Sequence, residues 1–155
     1  MKDYSAIAKQ YFKDGYNCAQ AVLLTFAPEC GLDETSAATM ASSFGGGMGR
    51  LREVCGAVSG MFLAAGILYG NADPKDGQAK AEHYARIQEL AKAFREENGS
   101  IVCRELLGLQ EKTQSPVPEE RTKEYYKKRP CVELVGCAAQ IFANYLEQNP
   151  PCNKV

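Results

Sequence analysis

The sequence predicts an all-α fold: a compact single-domain bundle of about six to eight helices over residues 1–155, built around a central apolar helix at 52–69. Three observations predict it. Apolar residues recur at helical spacing in segment after segment. No stretch alternates apolar and polar residues as a half-buried strand does, and no repeat recurs at a fixed period. The longest apolar run, Val54 to Tyr69, is too long for one strand, and its Leu, Met and Ala favour helix.

The totals agree. The 155 residues are 45% hydrophobic and 24% charged, enough to form a real core. The net charge of -1 calls for neither nucleic acid nor an anionic membrane surface as partner. The longest apolar run falls slightly short of the ~20 residues a membrane span needs. The first segment, MKDYSAIAKQYFKDGYN, is polar and amphipathic without the apolar core of a signal peptide, so the expected location is the cytoplasm.

The elements follow in order. Tyr4, Ile7, Ala8, Tyr11 and Phe12 stand at i, i+3, i+4, i+7 and i+8, an amphipathic first helix that Asp14-Gly15 ends. Asn17 is placed to cap a second helix from Cys18 to Phe26, stopped by Pro28, with a loop at Glu29-Cys30-Gly31. Asp33 can cap a third, Glu34 to Ser43. Gly45, Gly46, Gly47 and Gly49 then read as a tight connector, because glycine permits positive φ and close backbone approach. The apolar helix at 52–69 follows, with Gly56 and Gly60 four apart and Ala57 and Ala64 nearby. Such a small-residue face lets a second backbone or a cofactor come close, and it also allows a homodimer.

Gly70 to Pro74 breaks the chain. A helix from Lys75 to Glu97 puts Tyr84, Ile87, Ala91 and Phe94 on one stripe, with His83 on its charged side, and Asn98-Gly99 closes it. Ser100 can cap Ile101 to Leu107. Residues 110–118 form a linker-like segment. The next element has acids at its start (Glu119, Glu120) and bases at its end (Lys127, Lys128, Arg129), the order a helix dipole favours. After Pro130, Cys131 opens a last long helix to Leu146, with Leu134, Val135, Ala138, Ile141, Phe142 and Tyr145 facing the core and a short tail at 148–155.

Cysteine is the outlier: seven residues, at 18, 30, 55, 103, 131, 137 and 152, without a preceding signal peptide. An odd set in a reducing compartment points to metal, redox chemistry or burial rather than to a disulfide scaffold. Cys18, Cys55, Cys103 and Cys131 share one predicted position, the first turn of a helix, where unpaired N–H groups and the dipole stabilise a thiolate. Arg50 and Arg52 precede Cys55, and Lys127 to Arg129 precede Cys131. Cys30, Cys137 and Cys152 lack the feature; Cys137 reads as core and Cys152 as tail. There is no Cys-x-x-Cys spacing, so any site must gather distant cysteines by folding.

Cys18, then Cys55-Gly56-Ala57-Val58-Ser59-Gly60, then Cys103, then Cys131, resembles the C-GCAxxG-C-C proteins. Tyr16 to Val22 and Phe44 to Arg50 resemble the segments around the first cysteine and ahead of the second, and the likeness spans about residues 4–147. The resemblance implies a redox or metal role; a similar domain accompanies an iron–sulfur cluster in split-Soret cytochromes. With no Cys-x-x-Cys-His motif, covalent haem is not expected.

Three functions stay open. In the first, Cys18, Cys55, Cys103 and Cys131 bind an iron–sulfur cluster or another thiolate-bound metal for electron transfer or sensing, with an unidentified redox partner protein. In the second, they are the redox-active thiols of a metal-free dithiol protein in which Cys18 or Cys131 attacks and another cysteine resolves. In the third, the chain is a helical interaction module whose cysteines only pack. Gly45, Gly46, Gly47, Gly49 and Arg50 form a candidate cofactor or anion cradle ahead of a helix start, although no Lys-Ser/Thr pair follows as in a P-loop. No Ser-His-Asp order can be argued from the single histidine, and no carboxylate pair stands out for acid–base work. Whether the protein is an enzyme is left open by the sequence.

Overall fold

The computed structural model describes residues 1–110 and 113–152. It is all-α, and no strand occurs among the described residues. The helices are α1 (Tyr4–Lys13), α2 (Cys18–Thr25), α3 (Ala27–Cys30), α4 (Glu34–Ala41), α5 (Gly56–Tyr69), α6 (Gly77–Asn98), α7 (Cys103–Leu106), α8 (Lys123–Lys128) and α9 (Cys131–Gln148). A 3₁₀ turn (Ser42–Phe44) and a glycine-rich turn join α4 to the segment before α5. Among the described residues, no helix is long and apolar enough to cross a membrane.

The most enclosed helix is α2. Ala19 and every residue from Ala21 to Thr25 are buried, and α1, α4, α5 and α9 pack around them. Asn17 opens α2 with a capping box: its side chain accepts from the Gln20 N–H, and the Gln20 side chain accepts from the Asn17 N–H. Phe26 anchors the core beside α2, edge-on to Phe142 at 4.8 Å and stacked on Tyr4 at 4.9 Å. Truncating an enclosed phenylalanine such as Phe142 costs about 3–5 kcal/mol.

The apolar segment at 52–69 differs from its expected form at both ends and on one face. The helix begins at Gly56. Residues 52–54 are extended or left-handed, and they pair with 101–104 through an isolated antiparallel bridge, Val54 to Val102. One side of α5 is also half-open: Phe62, Leu63, Gly66 and Ile67 line a shallow apolar groove with Phe44 and Met48. The small-residue face packs inside the chain. A Cβ on Gly60 would stand 2.6 Å from the Ala19 carbonyl oxygen, and one on Gly56 would stand 3.0 Å from Cys18 Cβ. The two glycines thus let α5 lie directly on the backbone of α2.

Other boundaries shift for local reasons. Pro28 does not end structure; it sits in the first turn of α3, where its missing N–H is no loss, and Glu29-Cys30 are helical. In α6 the core contact is Leu90, Ala91 and Phe94, whereas Tyr84 is exposed because the first half of the helix projects beyond its neighbours. His83 is half-buried on that half, 2.8 Å from the Arg86 guanidinium. Helix α8 begins at Lys123, capped by Thr122, so Glu119 and Glu120 precede it. Residues 111 and 112 of the predicted linker and 153–155 of the predicted tail lie outside the described residues.

Candidate redox site

The four cysteines of the sequence motif all stand at helix starts. Cys18, Cys103 and Cys131 are the first residues of α2, α7 and α9, and Cys55 is the N-cap residue of α5. Together they line one cavity of about 430 Å³. Three devices bring them there. Glycines 56 and 60 press α5 onto α2, which sets Cys55 beside Cys18. The bridge carries hydrogen bonds from the Cys55 N–H to the Ile101 carbonyl (2.8 Å) and from the Cys103 N–H to the Glu53 carbonyl (2.6 Å), which sets Cys103 beside Cys55. Leu134, Val135 and Ala138 bury one face of α9 in the core, which brings its N-terminal Cys131 to the same cavity.

The glycine-rich turn forms another wall, since Gly45, Gly46, Gly47, Gly49 and Arg50 all line the cavity. Its backbone winds in the left-handed sense: φ is +70°, +69°, +67°, +65° and +66° at Gly46, Gly47, Met48, Gly49 and Arg50. A left-handed turn costs an ordinary L-residue roughly 1–2 kcal/mol, so three of these five positions are glycine. Gly47 is needed for space as well, because a Cβ there would meet Cys103 Cβ at 2.6 Å and Arg52 Cα at 2.8 Å. Gly45 abuts the Asn17 side chain that caps α2. The turn therefore fits between the start of α2 and Cys103.

The sulfurs are not equivalent. The neighbouring Cys18 thiol is the largest influence holding the Cys131 pKa down, at about 7. The Arg129 charge, the Tyr125 hydroxyl and the Arg52 charge act in the same direction, against burial. Cys18 is pushed well up, first by its interaction with Cys131 and then by burial. Cys55 is pushed up to about 12 by burial; its side chain makes no capping hydrogen bond, and the Ala57 and Val58 N–H groups offset burial only in part. Cys103 also rises through burial, although Arg52 Nη1 stands 3.5 Å from its sulfur. The expectation of four helix-start thiolates thus narrows to one, because desolvation dominates at Cys55 and Cys103, and the interaction with Cys131, followed by burial, holds Cys18 up.

Arginines and a short strap complete the walls. Arg52, only 5% exposed, reaches Gln114 Oε1 through Nε (3.0 Å) and Nη2 (2.6 Å). Arg50 donates to the Ser115 carbonyl, and Arg121 donates to the carbonyls of Phe12 and Tyr16 with its guanidinium over the Phe12 ring. Arg129 pairs with Glu119 at 2.5 Å. Exposed Pro116, Pro118 and Glu119 also line the cavity, so it opens to solvent along this strap. Of these groups, Arg52 and Arg129 were legible as basic residues near cysteines. Tyr125, Arg121 and Gln114 were not, since they arrive from segments with no motif spacing to Cys131 or Cys103.

The remaining cysteines stay outside the cavity. Cys30 ends α3, half-buried. Cys137, expected in the core, is half-buried and donates to Glu97 Oε2 at 3.1 Å while accepting from Asn98 Nδ2 at 3.3 Å. Cys152 is exposed. Among the described residues, no three His, Cys, Asp or Glu side chains gather closely enough to hold a single metal ion.

A family model, C_GCAxxG_C_C, described as "Putative redox-active protein", matches residues 16–145. The chain belongs to the C_GCAxxG_C_C family. The matched span holds all four cavity cysteines of this family member, the glycine turn and the strap. No curated protein and no solved structure matches the chain.

Proposed function

We propose that this C_GCAxxG_C_C protein is a thiol-based redox protein whose reacting pair is Cys131 and Cys18. The observation that carries the reading is that Cys18 and Cys131, the first residues of α2 and α9, line the same cavity, where Cys18 is the largest influence lowering the Cys131 pKa. A thiolate is the attacking form of cysteine, and an attacking thiol works best with a pKa near the ambient pH. Cys131 attacks a disulfide sulfur, that S–S bond breaks, one thiolate leaves, and a mixed disulfide remains. Cys18 then loses its proton to solvent and attacks the Cys131 sulfur; the second thiolate leaves and a Cys18–Cys131 disulfide forms. Two electrons pass from the cysteine pair to the substrate. Cys55 and Cys103 stay protonated and shape the pocket.

A second reading keeps all four sulfurs as ligands of an iron–sulfur cluster or other thiolate-bound metal. It is favoured by their lining one cavity, and by Cys18 sensing the charge of each of the other three, a repulsion that bound cations relieve. The sulfurs do not suit a single ion, whereas a multi-atom cluster suits the cavity volume better. In that case Cys18, Cys55, Cys103 and Cys131 hold the group, which supplies one-electron chemistry, and Arg52 beside Cys103 balances its charge.

One experiment separates the two: purification without oxygen, with iron, sulfide and free-thiol analysis before and after stoichiometric diamide. Colourless protein that loses two thiols, with a peptide map joining Cys18 to Cys131, supports the dithiol reading. Brown protein whose iron and sulfide vanish with Cys55→Ser or Cys103→Ser overturns it in favour of the cluster.

A further inference from the structure

We propose that the cavity selects anionic low-molecular-weight disulfides, recognising carboxylate or sulfonate groups through Arg50, Arg52 and Arg121 while Cys131 meets the S–S bond. This rests on the dithiol reading and adds the substrate class. Four guanidinium groups line the cavity, and a guanidinium stays charged in a protein. Of these, only Arg129 has a carboxylate partner among the described residues, Glu119. The others are held by neutral atoms: Arg52 by Gln114 Oε1 and the Cys103 sulfur, Arg50 by Gln114 Oε1 and the Ser115 carbonyl, Arg121 by two backbone carbonyls.

Arg52 makes the case sharpest. It is only 5% exposed, and its guanidinium bonds to Gln114 Oε1 and the Cys103 sulfur rather than to a carboxylate. Burying a cation without a carboxylate partner is costly, and an anion bound in the cavity offsets that cost. One Cys131 thiolate cannot balance three guanidinium groups. The cavity volume of about 430 Å³ lies within the range of small-ligand pockets and admits a compact organic anion rather than a protein chain. The chemistry is the exchange given above, with the arginines holding the anionic groups of the disulfide.

The test uses the full chain carrying Cys152→Ser, to silence the exposed thiol, and follows the phase that Cys131→Ser abolishes. The probes are 5,5′-dithiobis(2-nitrobenzoate), a dianion, and the uncharged 4,4′-dithiodipyridine, each rate being divided by that of 2-mercaptoethanol at pH 8. A like-signed cleft raises encounter rates by roughly tenfold or more, so the anionic probe is expected to lead by about that factor. The lead should shrink with salt and in Arg50→Gln and Arg121→Gln, while the uncharged probe reacts as before. A normalised ratio near one overturns anion selection but leaves the dithiol reading. A high ratio that survives both arginine substitutions overturns the assignment to these residues. Rates that are indifferent to Cys131→Ser for both probes overturn the dithiol reading itself. Should Arg121→Gln fail to fold, Arg50→Gln, whose side chain binds only the strap, decides the matter.

Discussion

Cys18 and Cys131 begin different helices more than a hundred residues apart, yet they line one cavity, where Cys18 is the largest influence lowering the Cys131 pKa. That relationship makes Cys131 the acidic member of the pair. Cys18→Ala removes the largest influence holding the Cys131 pKa at about 7, so the value rises toward 9.0. Tyr125→Phe moves it the same way by a smaller step. Iodoacetamide alkylation of Cys131 followed against pH by mass spectrometry checks both. An unchanged midpoint in Cys18→Ala contradicts the pairing.

Gly60 and Gly66 lie on the same helix and should respond oppositely to alanine. A Cβ at Gly60 meets the Ala19 carbonyl oxygen at 2.6 Å, and relieving it must push α2 and α5 apart, at a cost of about 1–3 kcal/mol. At Gly66 nothing stands within 4 Å, so alanine gains helix propensity, about 1 kcal/mol. Urea unfolding of the two variants reads the difference directly.

The left-handed turn makes a graded prediction. Gly49→Ala meets only the Ser43 carbonyl, at 3.7 Å, and carries the conformational cost alone, about 1–2 kcal/mol. Gly47→Ala adds a clash with Cys103 and the Arg52 backbone, so it destabilises more and alters the thiol reactivity of the cavity. Equal losses of stability in the two variants would contradict the packing of Gly47 against Cys103.

The thiols also fix how stability responds to alkali. Cys18, Cys55 and Cys103 have folded pKa values above the ordinary 9.0, so they stay protonated in the fold and ionise in the unfolded chain. Their contribution is complete below pH 9 and is lost as pH rises above it, by up to about 1.4 kcal/mol per pH unit for each thiol. Cys131 acts in the opposite sense: its lowered pKa contributes above pH 9, and that contribution is lost as pH falls from 9 through 7. Stability measured in urea at pH 7 to 11 is therefore expected to peak near pH 9 and to fall steeply beyond it.

The helical class was legible because it is written in local spacing: Tyr4 to Phe12 and Leu134 to Tyr145 place their apolar residues on one face without reference to the rest of the chain. The helix-start placement of the four cysteines was legible too, through Asn17, Pro130 and the glycine break before Cys55. Two things were not. The start of α5 moved from 52 to 56 because residues 52–55 bond to 101–104, a pairing between segments that carry no strand signal. The thiol pKa values could not be read from helix position, since burial dominates at Cys55 and Cys103 and the interaction with Cys131 dominates at Cys18. Tyr125 joins Cys131 on the cavity wall from across the break at Pro130, and no sequence spacing announces that placement.

If Cys18 and Cys131 form the disulfide proposed above, sulfurs far apart in the chain are joined, and the redox couple and the fold form a single thermodynamic cycle. Closing a loop of this size removes about 4–5 kcal/mol of conformational freedom from the unfolded state, so oxidation protects the structure. Read in the other direction, the packing that holds the two helix starts together sets the effective concentration of one thiol at the other. Loosening that packing anywhere along α2, α5 or α9 makes the disulfide easier to reduce. A substitution far from any sulfur, at the crossing of two helices, then tunes the reduction potential of this protein.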